Sequence, residues 1–412
     1  MKLRYSLPIL LTASLVACSG GGGGGDSSSL DSGITEVLGS SRPRQPLLKL
    51  SNLEYLGAFR VPQGTSDQLT FNYGGTALGF NPANRSLFIT GHDWYQLSAE
   101  ISIPTPSKAS DVQSLPQATL IQGLTYATEG KLNQVHPSGA EAKVGGHLVY
   151  NGKLYISSYR YYDATDQQFA SHFVRPLSLS TRSQVQGPIT LQNVPARWVA
   201  GYMGLIPSEW QSALGGPVLT GLGGVPIAAA SSVGPAAAVF DPSNLSKAAT
   251  MLVGYPLGNS LAQRYGLSEA GGSNSMWNLT SQVRGVVFPT GSSSVLFIGR
   301  HGTGEYCYGA GGESGACYDP TNMYQGTHAY PYRYQVWAYD ANDLADVKAG
   351  KRKHYEIQPY AVWALDLPYE SSSGAHQIHG VAYDPSNQVM YISQACIGTS
   401  CAPIIHAFKF AL

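Results

Sequence analysis

A degenerate repeat of short β-forming segments runs through most of the chain. Each copy is a short strand, a tight turn rich in Asn, Pro or Gly, and a second strand of β-formers. The clearest copies span residues 74–93, 145–160, 284–301 and 379–396. Recurrence of one small unit is typical of folds in which similar units stack or circle around a common core.

Further strands follow these pairs. A third strand is predicted after each pair and also in AAVFDPSNLSKA (237–248), and a fourth, edge-like strand in segments such as ATLIQG and TMLVGYP. Four antiparallel strands repeated around a ring are the plan of a β-propeller. The sequence therefore predicts an all-β fold, a β-propeller over residues 50–412, with five blades legible and five to seven allowed. LEYLGAFRVP (53–62) is expected to close the last blade as its outer strand.

The predicted loops differ in length according to the face on which they emerge. Turns between the first and second strands of a blade are all short, whereas the connections between second and third strands are the longest segments of the repeat. Connections from one blade to the next are long too, and in a propeller both kinds emerge on the same face, around the central channel. We therefore expect long loops on one face, and a functional site at the mouth of the channel.

The amino terminus resembles that of bacterial lipoproteins. Residues 1–17 have the basic start and apolar stretch of a signal peptide, and LVAC, which ends at Cys18, looks like a lipobox. The resemblance implies lipidation of Cys18, so we expect an exported lipoprotein, at the outer membrane or cell surface, that contacts the membrane only through its lipid. The alternative is an ordinary signal peptide with a chance cysteine. Residues 18–49, rich in Gly and Ser, are expected to be a flexible tether.

Cysteine spacing and net charge narrow the function classes. Cys307 and Cys317 form one local pair and Cys396 and Cys401 another, which in an exported chain predicts two disulfides. A zinc site is the alternative, but neither pair has C-x-x-C spacing.

The 25 basic and 25 acidic residues balance, and no basic patch stands out, so nucleic-acid binding is not predicted. We expect a monomer.

Polar side chains at the ends of the predicted second strands define a candidate catalytic site. His92, Tyr159, Arg160, Arg300 and His301 all occupy this position, in three different copies of the repeat. Each of them alone is compatible with an ordinary hydrogen-bonded loop residue. Together they bring Arg, His and Tyr from several blades to one mouth.

Aromatic residues in the same loops are candidates for contact with sugars. Tyr161, Tyr162 and Tyr330 lie in loops, where their rings offer flat faces for stacking and their hydroxyls can form hydrogen bonds. Tyr73 and Arg284, at the starts of inner strands, complete the predicted substrate-binding set.

This combination of residue types favours β-elimination of a uronate polysaccharide. Arg160 or Arg300 would hold the sugar carboxylate through paired hydrogen bonds. His92 or His301 would act as the base or disperse the enolate charge, and Tyr159 is the acid/base candidate.

Two further hypotheses remain open. A propeller glycoside hydrolase needs opposed carboxylates, for which Asp93, Asp163, Glu209 and Glu305 are placed. The other is a non-catalytic surface lipoprotein that binds a glycan or a protein.

The architecture and these strand ends resemble the propeller-fold polysaccharide lyases, in particular the ulvan lyases. In that family His, Tyr and Arg at the central channel act without a nucleophile, so the resemblance implies an acidic polysaccharide as substrate. A divalent metal (calcium, zinc or manganese) is common among propeller lyases. His147, His172 and His379 are the candidate ligands for such a metal here.

Overall fold

The computed structural model of the protein describes residues 42–224, 231–257, 276–371 and 374–412. The predicted signal peptide, Cys18 and all of the tether up to residue 41 lie outside these residues. In chain order the strands are β1 Leu53–Arg60, β2 Leu78–Asn81, β3 Ser86–Thr90, β4 Ser98–Ser102, β5 Leu120–Thr125, β6 Ala142–Tyr150, β7 Lys153–Arg160, β8 His172–Pro176, β9 Gln186–Ile189, β10 Met203–Leu205, β11 Val218–Thr220, β12 Ala237–Phe240, β13 Thr250–Val253, β14 Gln282–Val287, β15 Ser294–Gly302, β16 Cys307–Ala310, β17 Gln325–His328, β18 Tyr332–Asp340, β19 Ala361–Leu365, β20 Ile378–Asp384, β21 Val389–Ile397 and β22 Ala402–Phe410.

Two α-helices lie within the described ranges, α1 at Ser208–Leu214 and α2 at Ala341–Lys348. Single 3₁₀ turns occur at Leu50–Asn52, Val112–Ser114, Leu132–Val135 and Ala196–Val199. No helix in this part of the chain is long and apolar enough to cross a membrane.

The described residues form a β-propeller of five four-stranded antiparallel blades, which confirms the predicted fold. Blade one is β2–β5, blade two β6–β9, blade three β10–β13, blade four β14, β15, β18 and β19, and blade five β20, β21, β22 and β1. The first strand of each blade lies innermost and contacts the first strands of its two neighbours, which closes the ring. The hairpin β16–β17 is an insertion between the second and third strands of blade four.

The first strand of the chain completes the last blade, as predicted. β1 pairs antiparallel with β22, from Leu53 opposite Phe410 to Arg60 opposite Ile404. Phe59 of β1 is fully buried. The two ends of the described domain are therefore joined by a strand pair within blade five, which holds the ring closed at its seam.

Hydrophobic clusters fill the five interfaces between neighbouring blades. Each contains a large buried side chain: Phe173 between blades one and two, Phe240 between two and three, Trp337 between three and four, Met390 between four and five, and Phe59 between five and one. Full burial of such a side chain stabilises a fold by about 1.5–3 kcal/mol. Stability is thus spread around the ring, which leaves the loops at its mouth free to vary.

The inner strands of blades four and five each contain a β-bulge near the mouth. The register shifts fall at Arg284 in β14 and at His379 in β20. A glycine follows each of them because the inner strands pass very close together: a Cβ on Gly285 would lie 2.2 Å from Cβ of Val381, and one on Gly380 would lie 2.8 Å from a backbone nitrogen. Bulges re-aim side chains and are frequent beside active sites.

Residues 42–48 form a strap on the face opposite the mouth. Arg42 pairs with Asp346 of α2, Nη2 to Oδ1 at 2.8 Å, and the backbone N–H of Leu48 donates to Ser294 Oγ at 2.8 Å. α2 joins the third and fourth strands of blade four, and Ser294 begins its second strand, so both lie away from the mouth. Leu48 is buried, which fixes the strap to the propeller.

Both predicted disulfides form. Cys307 is bonded to Cys317, with 5.6 Å between their Cα atoms, and Cys396 is bonded to Cys401. The first bridge closes part of the insertion in blade four, and the second lies at the β21–β22 connection, so both staple loops on the mouth side.

Candidate functional site

Four side chains from three blades meet at the channel axis on the loop-rich face. This axial cluster consists of Tyr159 from blade two, Arg284 and Arg300 from blade four, and His379 from blade five. Arg284 Nη1 donates to Tyr159 Oη at 3.2 Å. The positive charge of Arg284 lowers the pKa of both Arg300 and His379, so these three side chains are linked electrostatically.

Arg300 is held firmly but keeps donor capacity. Its side chain lies over the ring of Tyr332, 4.4 Å from the centroid, and Nη1 donates to the carbonyl of Ala375 at 2.9 Å. It is only 8% exposed, and its Nε has no hydrogen-bond partner. Burial lowers the pKa of Arg300, and the positive charge of Arg284 acts in the same direction.

Neither arginine of the axial cluster is neutralised by a carboxylate. Among the described residues no Asp or Glu oxygen lies within 4.0 Å of the Arg284 or Arg300 guanidinium. The Nε of Arg284 is also buried without a partner. Buried cations are normally paired, so these two guanidinium groups are a candidate anion-binding site.

His379 is neutral and presents a basic nitrogen. Its Nδ1 lies 2.8 Å from the carbonyl oxygen of Gly74, and because a carbonyl only accepts, Nδ1 carries the hydrogen and the lone pair is on Nε2. Burial lowers the pKa of His379, and the charge of Arg284 lowers it further. The uncharged imidazole keeps a lone pair on Nε2, and an anion bound at the two arginines would offset the positive charge that disfavours its protonation.

An aromatic cleft opens next to the axial cluster, between blades one and two. It has a volume of about 790 Å³, and its aromatic lining is Trp94, Tyr95, Tyr126, Tyr161 and Tyr162. Trp94 is 80% exposed and Tyr162 61% exposed. Exposed rings grouped in one concave site are typical of ligand contact rather than of core packing.

Charged residues link the aromatic cleft to the axis. Lys143 lines the cleft, pairs across the sheet with Tyr159, and binds Asp93 with 2.7 Å between Nζ and Oδ2. Asp93 in turn acts on the pKa of His379, and Tyr161 on that of Arg300. The cleft and the axial cluster are therefore linked through Lys143 and Asp93, and we consider them together as one candidate site.

The structure separates the five predicted catalytic residues. Tyr159 and Arg300 belong to the axial cluster, whereas Arg160 turns back onto its own loop, where Nη2 pairs with Glu141 at 3.2 Å and Nη1 contacts His136. His301 is buried, with Nδ1 2.9 Å from Ser281 Oγ.

His92 lies beside the cleft rather than in it. Its ring contacts those of Tyr73 and Tyr95, and its Nδ1 accepts from the backbone N–H of Trp94 at 3.0 Å. Its position favours a role in shaping the 93–96 loop.

The predicted substrate-binding residues divide in a similar way. Tyr161 and Tyr162 line the aromatic cleft, and Arg284 belongs to the axial cluster. Tyr73 is 55% exposed at the mouth and has a left-handed φ of 56°, a strained conformation for a bulky residue that is enriched at functional sites. Tyr330 packs inside the insertion of blade four, with its ring against Tyr318 and Tyr332.

The three candidate metal ligands are not brought together. His147 lies within β6, with Nε2 3.0 Å from Ser98 Oγ, and His172 contacts Thr220 Oγ1 at 3.2 Å. Each is engaged by a hydroxyl group of the neighbouring strand or blade, and His379 contacts a carbonyl. Within the described ranges no group of three or more His, Cys, Asp or Glu side chains is arranged to hold a metal ion.

Three of the four predicted hydrolase carboxylates do not line the aromatic cleft. Glu209 lies on α1, in a connection on the opposite face, where it binds Gln45 of the strap. Asp163 is buried in a pair with Arg197 and accepts backbone N–H groups from Gln167 and Gln168. Asp93 alone of the four lines the aromatic cleft.

Sequence reasoning missed several residues of the site. Trp94, Tyr126 and Lys143 were not singled out, although Trp94 directly follows the His92–Asp93 pair. The roles of Arg284 and His379 carry a recognisable signal, because Arg-Gly-Val and His-Gly-Val recur at the start of two repeats. The glycine after a polar residue marks the bulge that turns this side chain to the axis.

Comparison with known proteins gives structural matches only. No protein-family model and no curated protein sequence matches the chain. Solved structures that match include a glycosyl hydrolase from Bacteroides ovatus (11% identity over 89% of this chain and 94% of that chain, TM-score 0.40) and the GH43 endo-arabinanase from Bacillus licheniformis (9%, 84% and 95%, 0.36). A protein of unknown function from Dyadobacter fermentans matches at 9% identity over 87% of this chain and 100% of that chain, with a TM-score of 0.40. Similarity at this level carries no information about activity.

Proposed function

We propose that the protein binds an acidic polysaccharide at the mouth of the propeller and cleaves it by β-elimination at uronate residues. The observation that carries the proposal is the pair Arg284 and Arg300, which lie together without a carboxylate partner beside an aromatic cleft. Two nearby guanidinium groups repel each other unless an anion binds between them, and each can hold a carboxylate through paired hydrogen bonds.

The aromatic cleft supports a sugar as the rest of the ligand. The apolar faces of Trp94 and Tyr162 are exposed, and such faces stack on sugar rings while polar groups around them bind hydroxyls. Asn133 and Lys143 line the same cleft and offer donors, and the carboxylates of Asp93 and Glu141 offer acceptors. A polysaccharide with one sugar on these rings and a uronate at the arginines satisfies both halves of the site.

The axial cluster contains the groups that elimination needs. In the proposed step Nε2 of His379 removes the proton from the carbon next to the carboxylate, and that electron pair forms the new double bond as the bond to the glycosidic oxygen breaks. Tyr159 donates a proton to the departing oxygen. Arg284 and Arg300 stabilise the charge that develops on the carboxylate. His379 takes the role of base that the sequence favoured for His92 or His301.

Hydrolysis is the second candidate, because two carboxylates line the same cleft. Asp93 and Glu141 both face it, and a glycosidase uses such a pair as acid and as base or nucleophile. In the present geometry each of them is held by a cation, Asp93 by Lys143 and Glu141 by Arg160. These ion pairs favour structural roles, so we place elimination first.

One assay separates these functions. Purified protein is incubated with ulvan, alginate, polygalacturonate and glycosaminoglycans, while ultraviolet absorbance and reducing ends are followed. Elimination yields a 4,5-unsaturated uronate that absorbs, whereas hydrolysis yields reducing ends without absorbance, and binding without either product indicates a non-catalytic protein.

The R284A/R300A variant tests the arginine pair in the same assay. It is expected to lose about 100-fold or more in rate, the effect typical of losing preorganised charge stabilisation. R85A, which removes an exposed arginine between β2 and β3 on the opposite face, is the matched control and should keep its rate. A full-rate double variant would contradict the proposal.

We also propose that the chain is an exported lipoprotein. The LVAC segment ending at Cys18 supports lipidation, and two disulfides support an oxidising compartment. Mass analysis of the amino-terminal peptide from the native host tests this: a diacylglyceryl cysteine at position 18 is expected, and an unmodified cysteine there contradicts it.

A further inference from the structure

The insertion of blade four, residues 303–331, connects directly to Arg300. It leaves β15 just after Gly302 and re-enters the blade at Tyr332. The two ends of the insertion are joined by backbone hydrogen bonds, from Thr303 N to Pro331 O at 2.7 Å and from Gly304 N to Ala329 O at 3.0 Å. Within it lie the hairpin β16–β17 and the Cys307–Cys317 disulfide.

A chain of side-chain contacts runs from the insertion to the arginine. The Arg300 guanidinium lies over the Tyr332 ring, and the Tyr332 hydroxyl donates to Asp319 Oδ2 at 2.6 Å. The hydrogen bond to Asp319 fixes the orientation of the Tyr332 ring. The Arg300 guanidinium lies on the π face of that ring, to which a cation is attracted. Asp319 belongs to the insertion and therefore acts on Arg300 through Tyr332.

Asp319 itself is held by several donors. It is fully buried, and it accepts from His328 Nδ1 at 2.8 Å and from Thr321 Oγ1 at 2.7 Å in addition to Tyr332. Burial alone would raise the pKa of Asp319, but the hydrogen bonds from Tyr332, His328 and Thr321 outweigh it and lower the pKa. His328 pairs across the hairpin with Cys307. Cys307 is therefore linked to the Asp319 carboxylate through His328, and Cys317 lies two residues before Asp319 in the chain.

We infer that Tyr332 and Asp319 are positioning residues that hold Arg300 ready for the carboxylate of the ligand, and that the disulfide-bonded insertion holds them in place. The inference rests on the proposed function of the axial cluster. Asp319 does not form an ion pair with Arg300, because no carboxylate oxygen of the described residues lies within 4.0 Å of the Arg300 guanidinium. A direct Asp–Arg pair would use up the guanidinium edge, whereas an aromatic support leaves that edge for a bidentate ligand.

Calorimetry with two matched ligands tests this role. Oligogalacturonate carries free carboxylates, and its methyl ester has the same sugars without the charges. The Y332F variant keeps the ring but loses the bond to Asp319, and D319N keeps the shape but loses the charge. Each is expected to bind the free acid about tenfold more weakly and to bind the ester as the wild type does. Equal losses for both ligands, or no loss for the acid, would overturn the inference.

The disulfide has its own matched control. C307S/C317S is expected to lose affinity for the acid in the same way as Y332F, whereas C396S/C401S, which opens the other bridge, should keep it. Unchanged acid binding by C307S/C317S would show that the bridge does not support Arg300. Thermal unfolding of each variant confirms that the propeller is intact.

A second measurement needs no sugar at all. Phenylglyoxal modifies arginine side chains, and peptide mass analysis gives the rate at Arg300. Release of the guanidinium in Y332F should raise this rate several-fold relative to the wild type, with the rate at Arg85 unchanged. An unchanged rate at Arg300 overturns the positioning role even if the acid oligomer binds. If the wild-type protein does not prefer the acid over the ester while the modification rate does rise, it is the proposed function that fails.

Discussion

The hydroxyl of Tyr159 and the guanidinium of Arg284 meet at the channel axis, 3.2 Å apart, although their strands belong to blades two and four. Blade three separates these blades along the ring, so the contact spans the mouth instead of following the sequence of interfaces. It places a proton donor and a cation at the same point, where the aromatic cleft opens.

The hydroxyl of Tyr159 is expected to matter for the reaction and not for the fold. Y159F should lower kcat by about 100-fold, the lower end of what general acid–base catalysis contributes, with a small change in KM. Y155F is the control: it removes a hydroxyl on the same strand, which donates to the carbonyl of Pro242. This variant should retain activity. Steady-state kinetics on the best polyuronate checks both, and equal rates for Y159F and the wild type would exclude Tyr159 as the acid.

The aromatic cleft is expected to supply affinity through stacking. W94A and Y162A should each weaken oligosaccharide binding about fivefold, because loss of one stacked ring costs on the order of 1 kcal/mol. Both side chains are mostly exposed, so stability should not change. Y308A removes a similarly exposed ring (65%) from the blade-four insertion and serves as the control. Equal affinities for W94A, Y162A and Y308A in calorimetry would place the sugar elsewhere.

Acid is expected to destabilise the propeller through its buried histidines. Burial lowers the pKa of His147 to about 4 and those of His172 and His406 to about 3, whereas the unfolded chain titrates near 6.5. Between these values the unfolded state binds more protons. The stability contributed by the neutral rings is therefore complete above about pH 6.5 and is lost as the pH falls towards 4, by about 1.4 kcal/mol per pH unit for each histidine.

Urea unfolding at several pH values measures this loss. The free energy of unfolding should fall steadily from pH 7 to pH 4.5. H406Q removes one titrating group, so its slope should be shallower than that of the wild type, although it is less stable at neutral pH. Parallel slopes for the two proteins would mean that His406 does not titrate on unfolding.

Closure of the ring is expected to depend on β1. Phe59 is fully buried between blades five and one, and F59A should lower the free energy of unfolding by about 3–5 kcal/mol. L50A truncates a side chain that is 42% exposed just before β1 and should have little effect. If F59A unfolds at the same urea concentration as L50A, the seam does not limit stability.

The sequence was sufficient for the architecture because four of the five blades repeat the same local signals. Tight turns and alternating β-formers appear in these four copies, so the propeller fold, the closing strand and both disulfides could be predicted, and the blade number to a range of five to seven. These features depend on residues that are near each other in the chain or that recur at a regular distance.

The site was harder to predict because it depends on contacts between blades. Arg160 and Arg300 stand at equivalent strand ends, yet only Arg300 reaches the axis, because Glu141 and His136 turn Arg160 back. His301 is one residue from Arg300, but on a strand its side chain points to the other face of the sheet. Neither outcome can be read from residue type and strand position alone.

The strap fixes the face at which the chain enters the propeller. Residue 42 is bound to α2 on the face opposite the mouth, so the chain enters the propeller from behind. Residues 42–48 therefore leave the arginines and the aromatic cleft uncovered. A long polymer can thus approach the mouth without meeting the segment through which the chain enters the propeller.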